Sequence, residues 1–388
     1  MPAQSSVPGT YVGARDFSKT EVYDYAFNIA PRLGVSYDLR GNGQTAIKAY
    51  YGRFYNQFGS DVLEASNPNA LATQNVTWAD RNGNLRLDPG ELGPIPAFAR
   101  GLFPRIAPNT KRPYSDEFNA GVEHRLATNL AVGVSYHRRH HRDGLGVLDA
   151  ARPASAYTPE SRTYTDSDGQ VKSITLFKLQ PALGALRDRV IDNVPGLEST
   201  YNGVQFDLQK KMSNRWQMLT GVSLQKHEGF DHSGTFTNVE FNNPNARINR
   251  DNGSVFIDLP WTYTLSGSYT LPWQAISVSG KYTARAGDPL NRTQVFTFTT
   301  PTATQPSETV RVVQRGTDRT ETVTQFLDIR FAKRVRLGAT SFEGTLDVFN
   351  LLNANHVLDQ NFALGSTFGR PSRILTPRIV RFGLTARF

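Results

Sequence analysis

One stretch of the sequence carries oxygen-donating side chains at the spacing of a cation-binding loop. It reads ADRNGNLRLDPGE, from Ala79 to Glu91. Calcium takes roughly six to eight oxygen ligands, and a twelve-residue loop supplies them from alternate positions and a final carboxylate. In that frame the ligands would be Asp80, Asn82, Asn84, the Arg86 carbonyl, Asp88 and Glu91. The spacing predicts a calcium site.

Two features of this stretch depart from such a loop. Leu85 stands where a glycine normally allows the sharp turn, and Pro89 and Gly90 follow where a helix would begin. A polar turn without an ion is the alternative, because Asn, Asp and Gly favour turns by themselves. If calcium binds, we expect a Kd on the order of 10⁻⁴ to 10⁻³ M.

A second stretch, YHRRHHRD from Tyr136 to Asp143, contains three histidines that could bind a transition metal. Strand alternation puts His137 and His141 on one face and His140 on the other, which argues against one shared site. Contact of this basic segment with lipopolysaccharide phosphates is an alternative. A solvated strand end is the other.

Enzymatic motifs are missing from the sequence. Its histidines accompany no G-x-S-x-G, H-E-x-x-H or paired-carboxylate pattern, and TDSDGQ (165–170) is typical of a hairpin tip. The chain has no cysteine, which excludes disulfides and thiolate chemistry. We predict a protein that is not an enzyme and has no cofactor apart from calcium.

Composition narrows the class further. The chain has 388 residues, of which 38% are hydrophobic, and carries a net charge of +9. No stretch approaches the roughly 20 apolar residues of a membrane helix. Arginines are scattered along the chain rather than grouped, so no nucleic-acid partner is expected. The start, MPAQSSVPGT, shows no signal peptide, and we expect the true start to lie upstream.

Alternation with period 2 runs through the chain and predicts β-strands. In the last segment Val380, Phe382 and Leu384 alternate with Arg381 and Gly383. Similar segments lie near 27–38, 45–58, 114–126, 130–142, 200–212, 216–228, 258–271, 275–285, 323–337, 341–352 and 377–388. Helical character is limited to Pro181 to Val194, inside a loop.

The connections between these segments alternate strictly between short turns and long polar loops. The long ones are roughly 59–113, 143–199, 229–257, 286–322 and 353–376. Outer-membrane barrels have short periplasmic turns and long outer loops, whereas loops this long are uncommon in compact soluble domains. We therefore predict an all-β, antiparallel up-and-down transmembrane barrel in the cell outer membrane, with its apolar face towards lipid.

The opposite face of the strands should line a water-filled lumen. Its polar and charged residues are Gln205, Asp207, Asp328, Arg330, Glu343, Asp347, Arg381 and Arg387.

Several segments resemble the TonB-dependent outer-membrane receptors, specifically the Oar-like branch. They include NIAPRLGVSYDLRGNGQTAIKAYYGRFY (28–55), YNGVQFDLQKKMSNRWQMLTGVSLQK (201–226), FEGTLDVFNLLNANHV (342–357) and FGRPSRILTPRIVRFGLTARF (368–388). The resemblance implies a barrel of about twenty-two strands, an amino-terminal plug and uptake of a solute. It also implies that Phe388 resembles the signal read by the barrel assembly machinery, and that TonB acts only through a plug absent from this chain.

Even strand numbers are the rule for such barrels, and eleven segments are predicted here. We therefore expect the carboxy-terminal part of a larger barrel, with 1–26 as a remnant of tail or extracellular loop and 27–388 as barrel. Two alternatives remain at this level. One is an outer-membrane adhesin or structural barrel without transport, and the other is a soluble secreted carbohydrate-binding β-protein.

Overall fold

A computed structural model describes most of the chain. The described residues are 3–7, 15–17, 19, 27–56, 66, 77–93, 104–184, 186–230, 240–251, 253–255, 258–302 and 305–388. Most of the predicted tail 1–26 lies outside them, apart from a short antiparallel pair, Gln4–Ser6 with Arg15–Phe17. Among the described residues, no helix has the length and apolar character needed to cross a membrane.

One large antiparallel sheet of long strands dominates the fold, and all eleven predicted segments contribute a strand to it. The strands are β1 (Arg32–Asp38), β2 (Thr45–Tyr55), β3 (Tyr114–Ala127), β4 (Leu130–Arg142), β5 (Ser199–Ser213), β6 (Trp216–Gly229), β7 (Trp261–Thr270), β8 (Ile276–Arg285), β9 (Thr324–Leu337), β10 (Thr340–Phe349) and β11 (Ile379–Arg387).

The strands follow one another in space in the order of the sequence, as in an up-and-down barrel. The sheet is open, because β1 and β11 pair on one side only within the described part of the chain. The predicted fold class, a partial transmembrane barrel, is confirmed.

Tight turns close one end of the sheet. Asn214 and Arg215 join β5 to β6 with φ of 49° and 69°. Two successive residues with positive φ are typical of the type I′ turn, whose twist matches that of the flanking strands. The remaining short connections, 39–44, 128–129, 271–275 and 338–339, lie at the same end, which corresponds to the periplasmic side of outer-membrane barrels.

Cross-strand pairing joins the apolar residues into one continuous face. Phe206 lies opposite Val134 on one side and Val222 on the other, and Val222 lies opposite Tyr263. On β11 the same face carries Phe382, whose exposed fraction is 79%. An apolar face this exposed over many strands requires lipid rather than water as its surroundings.

The long connections at the other end form a loop layer with its own strands and buried side chains. Its strands are Arg105–Ile106, Leu145–Asp149, Tyr157–Thr165, Val171–Leu179, Arg189–Asn193, Gly253–Ser254, Thr293–Thr302, Gln305–Arg311, Val357–Gln360 and Pro371–Ile374. Short 3₁₀ turns occupy Ala154–Ala156, Pro181–Leu183 and Pro244–Arg247.

Residues distant in sequence make the cores of this layer. Leu176 packs with Phe296, Phe298, Val310 and Val312. The TDSDGQ stretch lies at the tip of a hairpin, as predicted, with the Asp166 N–H donating to the Gln170 carbonyl at 2.9 Å.

The predicted helical character of Pro181 to Val194 is wrong for most of its described residues. The 3₁₀ turn ends at Leu183, and Arg189–Asn193 is a strand between Leu145–Asp149 and Arg105–Ile106. Val190 and Ile191 are buried there, so tertiary pairing outweighs the local helical preference.

Candidate functional site

A charged cluster crosses the last three strands on the face opposite the apolar one. Asp347 of β10 lies between Arg330 of β9 and Arg381 of β11 in the register of the sheet. Its carboxylate accepts from Arg330 Nε at 2.5 Å and from Arg381 Nη2 at 2.7 Å. Asp347 is 3% exposed, so the two guanidiniums cover it almost completely. One carboxylate between two arginines leaves a net positive charge on this part of the wall.

A second pair lies nearer the periplasmic end of the same strands. Arg334 Nη2 donates to Glu343 at 2.5 Å, and the Arg334 side chain remains more than half exposed. Arg387, on β11, alternates with the outward residues and so belongs to the same face as Glu343. This part of the wall is therefore also rich in guanidinium groups.

Asp328 has a different role from the other predicted lining residues. Its Oδ1 accepts the backbone N–H of Asn350 at 2.8 Å, just after the end of β10. Asn350 has φ of 49° and donates its side-chain amide to the carbonyls of Ala354 and Thr376. Asp328 thus fixes the point where the wall passes into the loop layer.

Gln205 and Asp207 lie on the same polar face, in the middle of β5. Gln205 is opposite Ser135 and Ser223. Asp207 is opposite Gly133, where an added Cβ would meet Asp207 Oδ1 at 2.6 Å. The glycine leaves the space that the carboxylate occupies. The structure places all eight predicted lining residues on the non-lipid face, and their contact with passing solute stays a prediction.

The three histidines of the second motif make separate contacts. His137 bonds Asn119 Oδ1 at 2.6 Å on the inner face, and His140 bonds Thr200 Oγ1 at 2.7 Å on the outer face. His141 lies near Ser115, with Nδ1 3.4 Å from Oγ. The described residues contain no group of three or more His, Cys, Asp or Glu side chains that could hold a metal ion.

Basic and aromatic side chains lie near His140 on the outer face, close to the loop layer. Arg53 makes a two-point contact with Asp116 at 2.8 and 3.0 Å and stacks over the ring of Tyr114 at 4.2 Å. Aromatic rings that combine with polar groups are typical of the membrane–water boundary.

The predicted calcium loop folds into a compact turn. The Asp80 carboxylate accepts from the backbone N–H groups of Gly83 and Leu85 at 2.7 and 2.9 Å. Leu85 takes φ of 57°, the conformation for which glycine is normally chosen.

The last two carboxylates of the predicted calcium loop, those of Asp88 and Glu91, accept hydrogen bonds from nearby N–H groups. Asp88 accepts from the amides of Asn82 and Asn84 at 2.7 and 2.6 Å, and these bonds lower its pKa. The backbone N–H of Asp88, then the Trp78 indole and the Arg81 N–H, donate to Glu91 and lower its pKa. The side chains of this turn contain enough oxygen atoms to ligate calcium. However, the side-chain amides of Asn82 and Asn84 turn their N–H groups towards Asp88. The turn is therefore held by hydrogen bonds and does not need an ion to fold.

A buried ionic network holds two loop hairpins together. Asp166, whose side chain is 0% exposed, accepts from Lys172 and from Arg292 Nη1, the latter at 2.7 Å. Arg292 also pairs with Asp318 at 2.5 Å. Burial alone would raise the pKa of Asp166, but hydrogen bonds from Lys172, the Ser167 N–H and Arg292 lower it to about 2.

Sequence reasoning did not single out this network or the apolar core beside it. One signal was available, because QVFTFTT (294–300) alternates as a strand does, within a segment predicted to be a polar loop. The ionic partners had no such signal, since Asp166 and Arg292 are far apart in sequence.

The membrane-facing wall, the periplasmic turns and the loop layer match a known family. The sequence model of the protein family described as outer membrane beta barrel domain matches residues 2–286. This chain belongs to that family. Its predicted location in the cell outer membrane is thereby confirmed, and the soluble alternative is wrong.

Solved structures of outer-membrane proteins resemble this chain, and at a TM-score above 0.5 the first of them shows the same fold. The outer membrane transporter YddB from Escherichia coli is 12% identical with a TM-score of 0.51, over 92% of this chain and 40% of that one. The siderophore receptor PirA from Acinetobacter baumannii is 11% identical with a TM-score of 0.48, over 97% of this chain and 41% of that one. This barrel chain thus spans about two-fifths of the length of these structures. No curated protein matches it.

Proposed function

We propose that this barrel forms part of a TonB-dependent receptor that captures a solute at the cell surface and takes it up across the outer membrane. The observation that carries the proposal is the combination of a structured loop layer with a charged inner wall. Resemblance of its fold to an outer-membrane transporter supports the same function, and we keep the Oar-like assignment as part of the proposal.

The described part of the loop layer supports ligand capture because it consists of paired strands with buried cores. Its hairpins share buried apolar clusters and the Asp166 network. Preformed surfaces bind with a smaller entropic cost than loops that must order on binding. Below it, Arg330 and Arg381 present partly exposed guanidiniums on the inner face, which can contact a plug or an anionic group of a solute.

Uptake is tested in the organism that encodes the protein. Cells with the intact gene, without it, and without TonB are grown in the same complex medium, and loss of solutes from the medium is followed by mass spectrometry. We expect at least one solute whose depletion requires both the gene and TonB. Identical depletion in all strains contradicts transport, and loss of surface attachment in that case supports the adhesin alternative.

We further propose two partners at the membrane. The basic outer-face end of the second motif, with Arg138 and His140, would contact lipopolysaccharide, whose phosphates suit guanidinium groups. Phe388, which is 99% exposed, would be read by the barrel assembly machinery. TonB itself would act only through a plug region.

Calcium binding by residues 80–91 is a separate proposal, supported by the spacing of the oxygen donors in the sequence. In the folded turn Asp80, Asp88 and Glu91 accept from different N–H groups and do not form a metal-holding cluster, so binding would require them to exchange these partners for the ion. Calorimetry of the purified protein should show binding with a Kd on the order of 10⁻⁴ to 10⁻³ M. Glu91→Gln should abolish it, whereas Arg86→Ala should not, because Arg86 would contribute only its carbonyl. Absence of heat at several times 10⁻³ M calcium ends this proposal and leaves a polar turn.

A further inference from the structure

The apolar face of the sheet is interrupted by a groove on β6 to β9. Gly267 of β7 lies directly opposite Gly280 of β8, so two adjacent outward positions carry no side chain. The resulting cavity of about 720 Å³ is bordered by Trp216, Tyr269, Tyr282 and Ile329, and nearly all of its lining is apolar.

The register shows that this cavity opens towards lipid. Gly280 is opposite Ile329 of β9, and Gly267 is opposite Met218 of β6. These positions alternate with Ser266, Ser268 and Ser279, whose side chains belong to the polar face. The occupant therefore comes from within the bilayer and not from the lumen.

The groove lies in the periplasmic half of the membrane. It runs from Trp216, the first residue after the Asn214–Arg215 turn, to Tyr282 on β8. Tyr282 is roughly 20 Å along the strand from the start of β8, which is about 15 Å across the membrane at a tilt of about 40°. The apolar band of such barrels is about 25 Å tall, so the groove reaches from the periplasmic boundary to near its middle.

The periplasmic mouth of the groove is positively charged. Arg215 is exposed, and its carbonyl accepts the N–H of Thr270, which ties it to the end of β7. Lys210 stacks over the Trp216 ring at 3.9 Å. Lys333 is exposed opposite Ile276 at the start of β8.

The segments of β5 to β9 that border the mouth, 208–219, 269–280 and 331–340, contain no Asp or Glu. Glu343 of β10 is nearby but belongs to the inner face, where it binds Arg334. Neither Arg215 nor Lys333 has a side-chain hydrogen bond or ion pair within the described residues.

We propose that this groove binds an anionic phospholipid of the periplasmic leaflet. One acyl chain lies over Gly267 and Gly280, and the phosphate lies at the mouth with Arg215 or Lys333. Basic side chains at a membrane boundary attract anionic headgroups, and Trp and Tyr favour the same depth. Phosphatidylglycerol fits both parts, whereas phosphatidylethanolamine has no net charge to match the mouth.

Gly280→Ile tests the apolar part because it fills the groove. An added Cβ there approaches the Asp328 carbonyl to 3.3 Å, which needs a shift of a few tenths of an ångström. Gly344→Ile is the matched control, since Gly344 is an exposed glycine of β10 on the same face with nothing near its Cβ position. Arg215→Gln combined with Lys333→Gln tests the mouth without changing a packed side chain.

The measurement is native mass spectrometry of the protein purified from outer membranes and supplied with phosphatidylglycerol or phosphatidylethanolamine. We expect preferential retention of phosphatidylglycerol, at least fivefold less retention in Gly280→Ile, and loss of the preference in the double Gln variant. Equal retention in Gly280→Ile and Gly344→Ile overturns the proposal. The proposal is also overturned if the retained lipid is lipopolysaccharide. It is overturned as well if the groove holds a second copy of the protein, seen as a dimer that Gly280→Ile removes. If Gly280→Ile does not fold, the double Gln variant decides by itself: an unchanged preference for phosphatidylglycerol in that variant overturns the proposal.

Discussion

Asp347 and Arg381 face each other on the last two strands, with Asp347 Oδ2 accepting from Arg381 Nε at 2.9 Å and from Nη2 at 2.7 Å. Arg330 binds the same carboxylate from the other side. This shared carboxylate ties three strands together at one level of the wall. It also fixes the register of β11, which is an edge strand among the described residues.

Removing the charge of Asp347 should therefore loosen the end of the sheet. Asp347→Asn keeps the size of the side chain but leaves two arginines without their carboxylate, so we expect the folded band on semi-native gels to be lost at a lower temperature. Glu343→Gln is the matched control and should shift it less, because Glu343 binds Arg334 alone among the described residues and is more exposed than Asp347. Equal shifts for the two variants would contradict a central role of Asp347.

A new charge should lower the stability of the protein much more on the lipid face of β5 than on its polar face. Phe206→Arg places a guanidinium in lipid at the middle of the strand and should cost about 2–4 kcal/mol in the free energy of unfolding. Gln205→Arg places the same group on the polar face and should cost little. Guanidinium titration of the protein in phospholipid vesicles, followed by tryptophan fluorescence, measures both values. A cost for Gln205→Arg as large as that for Phe206→Arg would contradict the assignment of the faces.

The loop layer should open as the pH falls. Because the pKa of Asp166 in the folded protein is about 2, below its ordinary value of 3.8, its carboxylate stabilises the layer fully above about pH 4. This contribution, on the order of 2 kcal/mol, is lost as the pH falls towards 2.

Hydrogen exchange of residues 157–179, corrected for intrinsic rates, should accelerate between pH 4 and pH 2 while the barrel strands stay protected. Asp166→Asn should show faster exchange already at pH 5. Asp168→Asn is the control, because Asp168 also binds Lys172 but is about half exposed. If exchange does not depend on pH, the ionic network of Asp166 does not hold these hairpins together.

Phe388 should affect assembly rather than stability. Phe388→Ala should lower the fraction of newly made protein that reaches the outer membrane as a folded barrel, measured by fractionation and gel mobility. Phe382→Ala removes a ring from the same face of the same strand and should leave this fraction nearly unchanged. If both variants assemble alike, the terminal ring has no special part in assembly.

The sequence by itself determined the strands of the sheet and their two faces. The segment predicted at 130–142 is β4, Leu130–Arg142, with Val132 and Val134 on its apolar side. This succeeds because period-2 alternation is local, and lipid on one face imposes it on every strand. The alternating pattern predicts a segment that continues to 352, whereas β10 ends at Phe349, because the contact of Asp328 with Asn350 that ends it comes from another strand.

The tertiary structure decided which residues meet. Alternation assigns Asp347 and Arg381 to one face, but only the register makes them partners. The loop layer was predicted as polar connections, whereas Leu176 and Phe296 build a core there from distant segments. Likewise, donor spacing in 80–91 indicates calcium, but only the folded turn shows the Asn amides binding Asp88. Local patterns report the surroundings of each residue, while pairing between distant segments depends on how the whole chain packs.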